Sequence, residues 1–187
     1  MVVRNEIKSQ LARLLATEDL IVEHKKVKTA SFDVSRRLLV LPMWERASDS
    51  VYDLLVGHEV GHALFTPDED PPKGIPHQFI NVTEDARIEK LIKRKYLGLA
   101  KTFFRGYREL NDDDFFQIAD EEVDEMNLAD RANLFFKIGN FVDISFTEEE
   151  QEIIDQIRDA ETFADACAAA KVLYDYCKKP KEDQESP

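Results

Sequence analysis

Gly57-His58-Glu59-Val60-Gly61-His62-Ala63 places two histidines four residues apart, with a glutamate directly after the first. On a helix, positions i and i+4 are neighbours on one face, so both imidazoles reach a single metal ion. Glu59 falls on the adjoining flank, where its carboxylate holds a water and not the metal. Zinc lowers the pKa of a coordinated water to about 7, so a carboxylate beside it acts as a general base for attack on a polarised carbonyl. The competing explanation is an accidental match on an amphipathic helix. With four histidines in the chain, an accident of this form is expected on the order of once in a hundred proteins of this size. Leu54 and Leu55 lie one turn earlier and point the histidine face inward. Gly57 and Gly61 each cost about 1 kcal/mol relative to alanine inside a helix, which implies that a neighbouring element approaches closely there.

Catalytic zinc takes three protein ligands and keeps one position open. The longer pattern H-E-x-x-H-x-x-G-x-x-H would put a third histidine at position 68, where this chain has Asp68. Phe65 stands where that pattern needs its turn glycine, and it resists positive φ, which counts against Asp68. Glu84 is the better candidate, in Asn81-Val82-Thr83-Glu84-Asp85-Ala86-Arg87-Ile88-Glu89. It shares a helical stripe with Ile80, Ile88 and Leu91, so an uncompensated carboxylate there would face the interior at high cost, and a metal would satisfy it. Asp85 and Arg87 are then placed to orient a ligand histidine or balance a carboxylate. The plain alternative is an internal ion pair of Glu84 or Asp85 with Arg87 or a lysine at the helix end. The expected donor set is His58, His62 and Glu84, with Asp85 and Asp68 as the other choices for the third position. For stabilising a developing oxyanion, His77 leads Tyr96, Arg105 and Tyr107, although a lone histidine beside a loop is more often a solvated or capping residue.

Working outward, the periodicity predicts helices over 2–16, from about 51 to 65, from Pro76 to about 96, over 99–110, and near 128–142, 147–160 and 162–177. Pro76 suits a first helical turn, and Thr147 with Glu150 forms a capping-box pattern. Short strands are expected over 21–25, 29–34 and 37–41, the last being the most apolar and ended by Pro42. A proline-rich acidic excursion follows the motif helix, with Pro67, Pro71 and Pro72 barring its continuation. The acidic stretch 111–125 reads as a loop, and the residues after 177 as a frayed tail or the start of a linker. His24 and Trp44 read as structural residues, and Cys167 and Cys177 as helix packing.

The 187 residues are enough for one well-cored domain, and a 43% hydrophobic content rules against global disorder. A net charge of -13 counts against binding to a phosphate backbone or an anionic membrane, both of which need a basic face. No apolar run reaches membrane-spanning length, and the first residues lack a signal-peptide core. Two cysteines ten positions apart are badly placed for a local disulfide, so a reducing cytoplasm is the expected compartment (the host cytoplasm for a phage-encoded chain).

Together, His58-Glu59-x-x-His62 and the later Asn81-x-x-Glu84-Asp85-x-Arg87-x-Glu89 resemble the Glu-zincin metallopeptidases. The wording is most similar to the metallopeptidase-like domain that precedes a von Willebrand factor A domain in bacterial and tailed-phage proteins, related to the cobalt-chelatase large subunit. The resemblance is specific between about 38 and 110. It implies an α+β zincin-like fold over 1–110, with a helical extension over 111–177 and a tail over 178–187. It also implies a short sheet whose edge strand, placed at 37–41, borders the motif helix and offers its backbone to an extended peptide. The chain departs from the thermolysin-like form, which carries an aspartate four residues after the ligand glutamate; that position here is Ile88. The expected activity is zinc-dependent peptide hydrolysis with Glu59 as general base and a peptide or protein substrate. A second class is a non-catalytic adaptor working with an AAA ATPase or a von Willebrand factor A partner.

Overall fold

The run Leu38-Leu39-Val40-Leu41-Pro42 is apolar at every position, and its side chains are buried on both faces. A strand of that composition belongs in the middle of a sheet. The computed structural model, which describes residues 20–43, 48–180 and 183, puts it there. β1 (Ile21–Lys25) pairs in parallel with β3 (Leu38–Pro42), from Ile21 opposite Leu38 to Lys25 opposite Pro42. β2 (Ser31–Asp33) pairs antiparallel with the other side of β3, with Phe32 opposite Leu39. The sheet is therefore mixed, in the order β1-β3-β2. This corrects the expectation that 37–41 is an edge: both sides of β3 are paired, and the edges are the more exposed β1 and β2. In the β2–β3 turn, Asp33 accepts hydrogen bonds from Ser35 and from the Arg36 N–H, and Arg37 adopts a left-handed φ of 52°.

Six α-helices accompany the sheet among the described residues, making the chain α+β. They are α1 (Asp49–Phe65), α2 (His77–Lys95), α3 (Leu99–Asp112), α4 (Leu128–Ile138), α5 (Glu148–Asp159) and α6 (Phe163–Lys178). A 3-10 turn at Val123–Glu125 is the regular structure in the acidic stretch. Several of the starts show a capping side chain. Ser48 caps α1 by accepting from the Val51 N–H, and Thr147 and Thr162 close capping boxes with Glu150 and Asp165. α4 stops at Ile138, ahead of Gly139, four residues short of the expected end. The helix expected over 2–16, Trp44, and most of the tail lie outside the described residues.

By its internal packing the chain falls into two units, one of 1–69 with 88–110 and one of 70–87 with 111–187. In the first, β2 lies against α1, the Tyr52 hydroxyl donates to the Pro42 carbonyl, and Arg37 donates to the Ala63 carbonyl at 2.7 Å. Helices α2 and α3 close on α1 at glycines. A Cβ on Gly57 would sit 3.1 Å from the Phe103 ring, and one on Gly61 would sit 2.8 Å from the end of Ile88. The tightest approach is Gly106, whose Cβ would come within 2.7 Å of Leu54 Cβ and 2.9 Å of the Ser50 carbonyl oxygen. Backbone cannot yield there, so Gly106→Ala is expected to lower stability by about 1–3 kcal/mol through overpacking. Urea unfolding of the two proteins checks this, and an unchanged midpoint would mean that the helices are free to separate.

The second unit has its own core of Phe79, Ile80, Leu128, Ile153, Ile154, Ile157 and Leu173. A buried polar group sits within it. Arg131 forms a two-pronged ion pair with Glu150, which also accepts from the Tyr176 hydroxyl at 2.9 Å. Burial works to raise the Glu150 carboxyl, but its bonds with Arg131, the Thr147 N–H and Tyr176 hold it below the usual carboxylate range. Burial and Glu150 together push the Tyr176 hydroxyl up to about 12. Cys167 and Cys177 are both free thiols.

Candidate metal centre

His58 and His62 lie on α1 as the four-residue spacing requires, with ring centroids 4.9 Å apart and planes nearly perpendicular. Each ring is held through Nδ1. His58 Nδ1 is 2.7 Å from Glu89 Oε1, and because a carboxylate only accepts, the proton of that bond sits on the imidazole. His62 Nδ1 is 2.8 Å from the Thr66 hydroxyl, and Thr66 also caps the end of α1 by donating its N–H to the His62 carbonyl. With Nδ1 so engaged, Nε2 is the nitrogen that each ring presents to a metal. Glu59 is half-buried, about 100° around the helix from His58.

Glu89 is buried, on the stretch of α2 that packs in the first unit, and its Oε1 also accepts from the hydroxyl of Tyr107 on α3. Three helices thus contribute to fixing one imidazole: His58 from α1, Glu89 from α2 and Tyr107 from α3. Tyr107 was a candidate for oxyanion stabilisation; its hydroxyl instead donates to Glu89. Loss of a carboxylate that orients a ligand histidine typically weakens metal binding about 10–100-fold. Glu89→Ala is expected in that range and Tyr107→Phe near its lower end, read by competition with a chromophoric chelator. Unchanged metal affinity in both would show that His58 needs no such support.

Glu84 and Arg87 are both almost fully buried. Arg87 Nε donates to both Glu84 oxygens at 3.1 Å and its Nη2 donates to Oε1, while its Nη1 donates to the Glu161 carbonyl at 3.1 Å. The ion-pair alternative for this glutamate is therefore the arrangement present. Asp85 is half-buried and lies 3.2 Å from Lys137 Nζ. On α2 it precedes Glu89 by four residues, so the helical repeat sets these two carboxylates on one stripe.

The remaining candidates are placed as follows. Asp68 is exposed, three residues past the end of α1. His77 is the exposed first residue of α2, eight residues and so about 12 Å of helix ahead of Asp85. Tyr96 is half-buried just after α2, Arg105 is exposed on α3, and His24 is half-buried in β1. Thr66 and Glu89 were not singled out from sequence as supports for the histidines. The signal for Glu89 was available as the i, i+4 spacing of two carboxylates, Asp85 and Glu89, on the helix after the motif. No protein-family model matches the chain, and neither do curated proteins or solved structures.

Proposed function

We propose that this chain is a zinc-dependent metallopeptidase whose donors are His58, His62 and Asp85, with Glu59 as general base. The observation that carries this reading is the pair of imidazoles on α1, each fixed through Nδ1, with a buried carboxylate behind His58. Packing alone gives no reason to tie a histidine to a buried glutamate and a tyrosine, whereas a ligand that has to hold one tautomer and one orientation gains from both. His58, His62 and Asp85 form a group capable of holding a metal ion. Two imidazole nitrogens and one carboxylate oxygen suit zinc. Asp85 is preferred to Glu84 because ligation by Glu84 would draw its carboxylate out of the buried ion pair it forms with Arg87.

When bound, zinc supplies Lewis acidity toward a peptide carbonyl and toward water. The chain's own groups do the rest. Glu59 takes the proton from the attacking water and returns it to the departing amine, while Glu89 and Tyr107 keep His58 in its ligating orientation. β2 lies beside α1 as an edge strand. Among the described residues it pairs on one side, with β3, so its other edge is suited to an extended peptide backbone.

The test is metal analysis of protein purified without chelators or a histidine tag, together with hydrolysis of an unfolded protein substrate before and after zinc removal. About one zinc per chain and zinc-dependent cleavage are expected. Failure to bind zinc even when it is supplied in excess would sink the proposal.

A further inference from the structure

Helix α3 turns Phe103, Gly106 and Tyr107 inward and carries an unusual outer stripe. Lys101, Phe104, Arg105 and Arg108 follow the i, i+3, i+4, i+7 spacing, and all four are exposed. Phe104 is 44% exposed, and Leu97, in the turn just before the helix, is 79% exposed. Lys101, Arg105 and Arg108 form no ion pair or hydrogen bond among the described residues. That is unexpected in a chain with 38 acidic residues against 25 basic ones, where a surface cation has acids in plenty to choose from. Between 88 and 110 the balance is reversed, with seven cations against two acids, one of which is the Glu89 committed to His58.

The same chain carries the complement. Residues 112–125 contain eight acids and no cation, and Phe115 among them is 55% exposed. Asp113, Asp120 and Glu121 are exposed and have no side-chain partner among the described residues. We propose that the outer stripe of α3 docks the acidic 112–125 segment of a second copy of this chain. Apolar side chains stand within both charged surfaces: Leu97 and Phe104 in one, Phe115 in the other. Charge of opposite sign sets which surfaces meet, and the apolar groups add burial once they do.

A nucleic acid is the other polyanion to consider, and the size of the stripe counts against it. From Lys101 to Arg108 the helix advances about 10 Å, which matches three or four residues of extended chain. A duplex runs well past such a patch, and its further phosphates meet the field of a protein whose net charge is -13. In the second copy the eight acids of 112–125 are gathered in one short segment, so the contact needs only a local match of charge.

The two surfaces differ, so the contact is heterologous and does not stop at a dimer unless the geometry closes a ring. Full-length protein examined by sedimentation velocity over a range of concentrations is expected to gain mass at about 50 mM salt and to return to monomer at about 1 M. A charge swap tests the pairing itself. The variant K101E/R105E/R108E and the variant D113K/D120K/E121K are each expected to lose at least about tenfold in self-association, because like charges then face one another. Mixing the two restores opposite charges at the contact and is expected to restore association. Circular dichroism of each variant checks that the fold is kept. A wild-type chain that stays monomeric at low salt, or a mixture that associates no better than either variant alone, overturns the proposal. So does binding of a short DNA duplex that K101E/R105E/R108E abolishes in the absence of self-association, which would give the stripe to nucleic acid.

Discussion

Asp85→Asn is expected to strip the chain of tightly bound zinc while leaving it folded, and Glu84→Gln to do the reverse. The two residues are adjacent on α2, yet their surroundings separate them. Asp85 is half-buried and pairs with the half-buried amine of Lys137. Replacing it by the amide removes a negative ligand from a three-donor site and should weaken zinc by at least about a hundredfold. Glu84 is tied to Arg87 through two oxygens with almost no solvent exposure for either residue. Its amide removes the carboxylate charge from a buried ion pair, a change that typically costs about 3–5 kcal/mol. For a chain of this length that is roughly a 10 °C fall in melting temperature. Metal analysis and calorimetry on the two variants, both loaded with zinc before dialysis, read the two effects separately. Zinc lost from Glu84→Gln, with the metal-free variant melting where the metal-free wild-type chain does, would make Glu84 the ligand and the assignment to Asp85 wrong.

The ambiguity between these neighbours marks where the sequence stops being readable. The stripe of Ile80, Glu84, Ile88 and Leu91 correctly indicates that Glu84 faces inward, and its burial agrees. Burial creates a demand for a counter-charge without naming the group that meets it. Arg87, three residues on, meets it within the same helix, and a metal would have met it equally well. The thermolysin-like spacing sharpened the difficulty, because counting four residues from Glu84 reaches the apolar Ile88. Counting from Asp85 reaches Glu89, which is hydrogen-bonded to the first histidine. On the proposed assignment to Asp85, a count of four residues reaches a carboxylate instead of an apolar side chain.

Elsewhere legibility follows how local the cause is. The capping box of Thr147 with Glu150 depends on residues within one turn and was legible in the sequence; the caps at Ser48 and Thr162 are equally local, though they were not singled out. Gly57 and Gly61 announced a close approach but not by what; the answers, Phe103 and Ile88, come from later helices. The order of three short strands depends on which edges meet in space. The apolar run at Leu38–Pro42 was legible as a strand, while its central position was not.

Glu59→Gln is expected to lower the turnover of peptide hydrolysis by about 10²–10⁴-fold while leaving zinc content and the Michaelis constant nearly unchanged. The amide has the shape of the carboxylate but cannot accept a proton at neutral pH, so the variant separates the general base from everything else that the site does. The pairing of activity with zinc content is what makes the result decisive. A variant that lost its zinc as well would have been damaged at the donors, and its inactivity would say nothing about the base. If Glu59→Gln holds one zinc and hydrolyses at the wild-type rate, proton removal is done elsewhere and the proposed mechanism fails. Structural zinc makes no use of a carboxylate held beside two ligand histidines, since nothing there needs to lose a proton. The reduced turnover, at full zinc occupancy, is the result that distinguishes an enzyme from a domain that merely binds metal.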